Sequence, residues 1–210
     1  IVSSVKPALQ ELLARPAPAA RRPAPPRRPA PAAPDPAVLT DRLLFATLER
    51  VRPANSVIVE ECPSSRPALH EQMGITAEEG FYAGASGGLG WSLPAAVGVA
   101  MARPEARVIA TIGDGSSMYA IQGLYTAAVL KLPMTFVILK NGRYEALIRF
   151  GRYFGMQSLV GARFPEIDFV SVAEGLGVPA RRVATPEALE PSLREAVASR
   201  GPCLVEVTIE

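Results

Sequence analysis

The chain has 210 residues, 49% of them hydrophobic, and a formal net charge of +2. That length supports one substantial core with an appendage, and the near-neutral balance singles out neither nucleic acid nor any other charged partner. No stretch reaches the roughly 18 to 20 apolar residues of a membrane span, and no signal peptide is evident.

Ile1-Val2 followed by Lys6 to Leu13 reads as a short strand and helix, too small to fold alone. The chain therefore reads as part of a longer polypeptide, with residues 1–14 ending a preceding domain. Residues 15–37 contain only Ala, Pro and Arg apart from Asp35. Such a segment cannot bury apolar side chains and is predicted to be an extended linker. Its arginines have no interleaved aromatics, so a solvated linker is favoured over a nucleic-acid arm.

After the linker, Pro36 to Val51 is predicted as a helix with Leu39, Leu43, Leu44 and Leu48 inward, and Ser56 to Glu60 as a strand. Glu61 to Pro67 reads as a polar turn. The glycine-dense stretch Gly84 to Gly90 opens a small-residue helix, Leu93 to Met101. Arg107 to Ile112 reads as a strand, Tyr119 to Leu130 as a helix, and Met134 to Leu139 as a strand. Helices are predicted at Tyr144 to Phe150, Asp168 to Leu176 and Pro186 to Ser199, and strands at Arg181 to Val183 and Cys203 to Ile209. Near-continuous apolar strands alternating with helices predict an α/β fold, a parallel sheet covered by helices on both faces. Ligands in such sheets bind outside the carboxyl ends of the strands. Cys62 and Cys203 are far apart with no C-x-x-C partner, which fits reduced thiols and a cytoplasmic setting.

Two strands end in motifs. Val108 to Ile112 runs into Gly113-Asp114-Gly115-Ser116, and Met134 to Leu139 into Lys140-Asn141-Gly142. If these strands are parallel neighbours, Asp114 and Asn141 sit about 5 Å apart at one edge. A hard anionic oxygen, an amide oxygen and a backbone carbonyl near Arg143 make a donor set for magnesium, with diphosphate oxygens and water completing the octahedron. Ser116 and the amides after Gly115 fall at a helix N-terminus suited to phosphate. Taken singly, each motif is also an ordinary turn.

Together the motifs resemble the thiamin diphosphate signature, which begins GDG and ends NN. The segment Gly87-Gly88-Leu89-Gly90-Trp91-Ser92-Leu93-Pro94-Ala95-Ala96-Val97-Gly98 is similar to the one that precedes that signature in the benzoylformate decarboxylase family. Asn141 to Leu147 and Gly201 to Val207 extend the likeness. The resemblance covers about residues 38–210, the diphosphate-binding domain. It implies that residues 1–14 end the central domain of such an enzyme. The implied activity is decarboxylation of a 2-keto acid with thiamin diphosphate and Mg2+.

The resemblance also implies roles. Asp114, Asn141 and the Arg143 carbonyl would bind the metal. Leu89 would wedge under the cofactor and impose its folded shape, and the Gly87 carbonyl would accept from the aminopyrimidine. Gly88, Gly113, Gly115, Ser116, Ser64 and Tyr144 would contact the cofactor, and Leu147 and Phe150 the substrate, although ordinary core packing suits Phe150 equally well. His70 maps to no family histidine and reads as a surface or helix residue. Lys140 departs from the family's Asn and would either reshape the turn or approach the diphosphate. The activating glutamate would come from another domain, normally of a second subunit, so a homo-oligomer and an isolated chain without turnover are implied. The alternatives are an acetolactate-synthase-like carboligase and a non-catalytic binding module. A nucleotide-binding domain is disfavoured because no G-x-x-x-x-G-K-[ST] or strand-linked G-x-G-x-x-G is present.

Overall fold

A computed structural model describes residues 4–16, 31–164 and 167–209. Most of the expected linker, and the expected strand at Ile1-Val2, lie outside the described residues. The chain divides into two units, Ile1–Ala30 and Pro31–Glu210. In the first, α1 (Val5–Ala14) has no buried residue.

The second unit is built on six strands: β1 (Val57–Glu61), β2 (Phe81–Ala83), β3 (Val108–Gly113), β4 (Met134–Lys140), β5 (Ala180–Val183) and β6 (Cys203–Thr208). They form one sheet in the order β2-β1-β3-β4-β6-β5, and every pairing is parallel. Side chains of a strand alternate between faces, so each strand feeds two cores. Val108, Ala110 and Ile112 of β3 point to one face, with Met134, Phe136 and Ile138 of β4; Ile109, Val137 and Leu139 point to the other. The second face is covered by α2 (Asp41–Val51), α3 (Arg66–Gln72) and α9 (Pro186–Ala198), through Leu44, Leu48, Leu69 and Leu193. The first is covered by α4 (Ser92–Ala102), α6 (Gly123–Val129) and α8 (Phe169–Gly175), through Leu93, Ala96, Leu124 and Phe169. Each fully buried Leu or Phe contributes about 1.5 to 3 kcal/mol. Two short helices, α5 (Asp114–Ser117) and α7 (Glu145–Tyr153), follow β3 and β4 at the carboxyl edge.

Several boundaries differ from the sequence expectation. The first long helix starts at Asp41 rather than Pro36, because the Thr40 hydroxyl caps it by accepting from the Leu43 amide at 3.2 Å. The expected polar turn at 61–67 is shorter. Glu61 is the last strand residue and is buried, and α3 begins at Arg66 with Pro67 in its first turn, where the missing N–H costs nothing. The helix expected at 119–130 forms only over Gly123–Val129. Residues 118–122 make tight turns instead, with Tyr119 and Ala120 donating to the carbonyls of Ser116 and Ser117.

At the amino edge, buried Arg107 donates to the carbonyls of Ala196, Ser199 and Met134 and to the Thr135 hydroxyl. It thereby ties the end of α9 to the start of β4, at the opposite end of the sheet from the motifs. No described helix is long and apolar enough to cross a membrane.

Candidate active site

The chain reverses direction across the sheet between β1 and β3, since β2 lies on one side of β1 and β3 on the other. A crevice forms at such a switch point, outside the carboxyl ends of the strands. Here it is a cavity of about 390 Å³. Ser64 borders it from the loop after β1, Gly113, Asp114, Gly115 and Ser116 from the end of β3, and Asn141, Arg143, Tyr144 and Leu147 from the end of β4; Gly87 and Leu89 line it from the glycine-rich loop. Two expected residues are absent from its lining. Gly88 lies beside it in the loop, and Phe150 is 63% exposed, its ring packed on Phe154 at 4.8 Å. Phe150 is thus neither a wall of this cavity nor a core residue, because one further turn of α7 carries it past the crevice.

Asp114 organises the site. Register pairs Gly113 with Leu139, so the residues that follow meet across one strand gap. The Asp114 carboxylate is only 3% exposed. One oxygen accepts from the Gly115 amide at 2.7 Å, and the other from the Asn141 and Gly142 amides at 2.8 and 2.6 Å. Burial pushes its carboxyl above the usual aspartate value, and these amide bonds with the Lys140 charge offset part of that rise. Its hydrogen-bond partners among the described residues are backbone amides. A cation beside it would complete the arrangement. Asn141 Oδ1 accepts from the Arg143 amide at 3.1 Å, which folds the turn after β4. The donor set is one carboxylate, one amide oxygen and one carbonyl. It suits a hard ion that keeps water and phosphate ligands. No cluster of three or more His, Cys, Asp or Glu able to hold a metal occurs among the described residues.

Close packing shapes the walls. A Cβ at residue 115 would lie 2.4 Å from the Tyr144 ring, so only glycine lets that ring cover the turn. Burial and the adjacent Tyr119 hydroxyl push the Tyr144 phenol up, keeping it protonated. Glu145, also on the wall, accepts from Arg143 Nε at 2.6 Å and Arg149 Nε at 2.9 Å. Burial works to raise its carboxyl, but the hydrogen bonds and charges of the two arginines outweigh it and hold the group low.

Lys140 reaches across to β6. It is 7% exposed, and its ammonium donates to Glu206 at 3.2 Å. Glu206 also accepts from Arg182 Nε at 2.6 Å and the Phe169 amide at 3.0 Å. The turn after Lys140 still presents its amides to Asp114. His70 lies in α3, exposed, its ring against Phe81. Cavity residues that sequence reasoning missed include Cys62, Tyr119, Glu145 and Ala146. Tyr119 closely follows the Gly113–Ser116 motif, and Glu145 and Ala146 fall within the Asn141–Leu147 likeness, a proximity that could have marked them.

A parallel sheet with a buried carboxylate and backbone amides at its switch-point crevice is the frame of a thiamin diphosphate-binding domain, and the family match assigns the chain to that class. The model of the thiamine pyrophosphate enzyme C-terminal TPP binding domain matches residues 65–207, and the chain belongs to that family. It is 38% identical over 169 residues to benzoylformate decarboxylase of Pseudomonas aeruginosa, covering 80% of this chain and 32% of that protein. With acetolactate synthase isozyme 2 large subunit of Escherichia coli the identity is 28%, covering 80% of this chain and 31% of the relative. Among solved structures, thiamine diphosphate-dependent 4-hydroxybenzoylformate decarboxylase of Rhodococcus jostii superposes with a TM-score of 0.86 at 38% identity, covering 100% of this chain and 40% of that one. Benzoylformate decarboxylase of Polynucleobacter necessarius gives 0.78 at 31% identity, covering 92% and 35%. The chain spans about a third of the length of these curated relatives.

Proposed function

We propose that this chain is the diphosphate- and magnesium-holding domain of an enzyme that decarboxylates 2-keto acids. The observation that carries the reading is the buried Asp114 carboxylate, partnered by amides, at the mouth of the switch-point crevice. Asp114, Asn141 Oδ1 and the Arg143 carbonyl would hold Mg2+. The Gly113–Ser116 turn, with Ser64, would take the diphosphate. Leu89 would act as the wedge under the rings, with the Gly87 carbonyl accepting from the aminopyrimidine and Gly88 and Tyr144 beside them.

Bound thiamin diphosphate supplies the carbanion chemistry that lets carbon dioxide leave a 2-keto acid. The protein's part is to orient that group and exclude water around it. Leu147 gives the exposed side of the crevice an apolar wall suited to an aromatic substrate, and Phe150, about one turn further along the same side of α7, lies beyond the cavity in this chain.

Preceding domains and a second subunit of a cytoplasmic homo-oligomer would add the glutamate that activates the cofactor, so the 210 residues alone would show no turnover. Acetolactate synthases among the relatives keep carboligation as the second reading. Calorimetric titration with thiamin diphosphate in magnesium and then in EDTA tests the proposal. Binding should require the metal; binding of equal strength in EDTA would contradict it.

A further inference from the structure

We propose that Glu61 is a positioning residue for the cofactor loop, a role that rests on the functional reading above. Glu61 ends β1 and is 2% exposed. A carboxylate this deep must collect donors, and it collects two from a loop 29 to 31 residues away. Oε1 accepts from the Gly90 amide at 2.6 Å and Oε2 from the Ser92 amide at 2.7 Å. The two amides flank the start of α4, whose own N-cap residue, Trp91, makes no side-chain cap. Glu61 therefore serves as the anion at that helix start, delivered from the sheet rather than from the helix's own flank.

The consequence is positional. Gly90 stands at φ +93°, and a Cβ there would lie 2.7 Å from the Tyr119 Cβ, so the loop is wedged from one side by Tyr119 and pinned from the other by Glu61. Leu89, whose side chain lines the cavity, directly precedes the pinned amide. Glu61 pairs in register with Ile112, two residues before Asp114. Two buried carboxylates thus leave adjacent strands at one edge, and each gathers amides from a different loop. Asp114 fixes the metal and diphosphate turn, and Glu61 fixes the loop that would meet the cofactor's rings.

This division gives a test that a purely structural role would not pass. The chain and its Glu61→Gln variant are titrated with magnesium thiamin diphosphate and with magnesium pyrophosphate, which lacks the rings. Amide hydrogen exchange is followed on both proteins without ligand. Gln keeps one acceptor but turns an NH2 toward the second amide, so exchange at Gly90 and Ser92 should accelerate at least tenfold while β3 and β4 amides are unchanged. Affinity for magnesium thiamin diphosphate should fall at least tenfold and that for magnesium pyrophosphate less than twofold. Equal losses for both ligands, or unchanged exchange at Gly90 and Ser92, would overturn the inference. If Glu61→Gln does not fold, Glu61→Asp carries the same test, its shorter carboxylate reaching one amide and producing the same selective loss. Failure of the functional reading has a separate signature: the unaltered chain itself would show no magnesium-dependent binding of thiamin diphosphate, and this inference would fall with it.

Discussion

Removing Glu206 should cost far more than removing Lys140, although the two form one ion pair. The side chains are 0% and 8% exposed, so both charges are desolvated. Breaking a buried pair from one side leaves the other charge uncompensated, at about 3 to 5 kcal/mol. That figure bounds Glu206→Gln, which takes the carboxylate from Lys140, Arg182 and the Phe169 amide together while Arg182 keeps Asp168 at 2.8 Å. Lys140→Met is different. Glu206 keeps the Arg182 guanidinium and the Phe169 amide, while the buried ammonium's own desolvation penalty disappears. We expect a loss of about 1 kcal/mol, the usual net value of one hydrogen bond. For a domain of this size about 1 kcal/mol shifts the melting temperature by roughly 2 to 4 °C. Glu206→Gln should therefore melt about 6 to 20 °C lower and Lys140→Met about 2 to 4 °C lower, by circular dichroism at neutral pH with urea midpoints as a check. Equal losses for the two variants, or none for Glu206→Gln, would refute the view that Glu206 is the hub and Lys140 one of several spokes.

Further outcomes follow from the site and its supports. Because burial raises the Asp114 carboxyl, protons compete with the metal at higher pH than for an ordinary aspartate. Magnesium-dependent affinity should fall on acidification before the usual aspartate range is reached, and still earlier in Lys140→Met, which removes a charge that lowers that carboxyl. The stability sign is opposite: a raised carboxyl contributes its stability below the unfolded value and loses it as pH rises through the folded one, so metal-free melting should rise slightly on mild acidification from this group. Gly115→Ala places a Cβ 2.4 Å from the Tyr144 ring, whose side chain can swing out. The fold should persist within about 1 to 2 kcal/mol while cofactor affinity falls at least tenfold, read by melting and titration side by side. Arg107→Met removes the donor that the Ala196, Ser199 and Met134 carbonyls share at the far edge, although the Thr135 hydroxyl still donates to Ala196, and should cost about 1 to 3 kcal/mol, with cofactor affinity of the folded fraction unchanged. Burial raises both thiols, Cys62 well above its usual value, so Cys62 should resist a thiol-directed disulfide reagent in the native chain and react on unfolding.

The sequence showed the strands that end in motifs, because apolar runs closed by Gly-Asp-Gly and Asn-Gly carry both a period and a stop. Their parallel order and the shared edge of Asp114 and Asn141 followed from alternation with helices. What escaped was short or depended on distant partners. Phe81–Ala83 is too brief to show a period, and Pro67 looks like a turn residue until its place in the first turn of α3 is seen. Glu61 was placed in a polar turn for a deeper reason. A charged residue beside a turn looks solvated in sequence, and only the glycine-rich loop reveals that it is buried with partners 29 and 31 positions away. The Lys140 partner on β6, 66 positions away, was equally out of reach of the sequence. The Phe150 expectation came from resemblance alone, and the exposed second turn of α7 did not support it.

On the proposed function, Asp114 anchors magnesium and, through it, the cofactor's diphosphate. The most direct test is calorimetric titration of the chain and of Asp114→Ala with thiamin diphosphate at fixed magnesium. The account predicts metal-dependent binding by the unaltered chain and at least a hundredfold weaker binding by the variant, with melting confirming that the variant is folded. Equal affinity of the two proteins would contradict it.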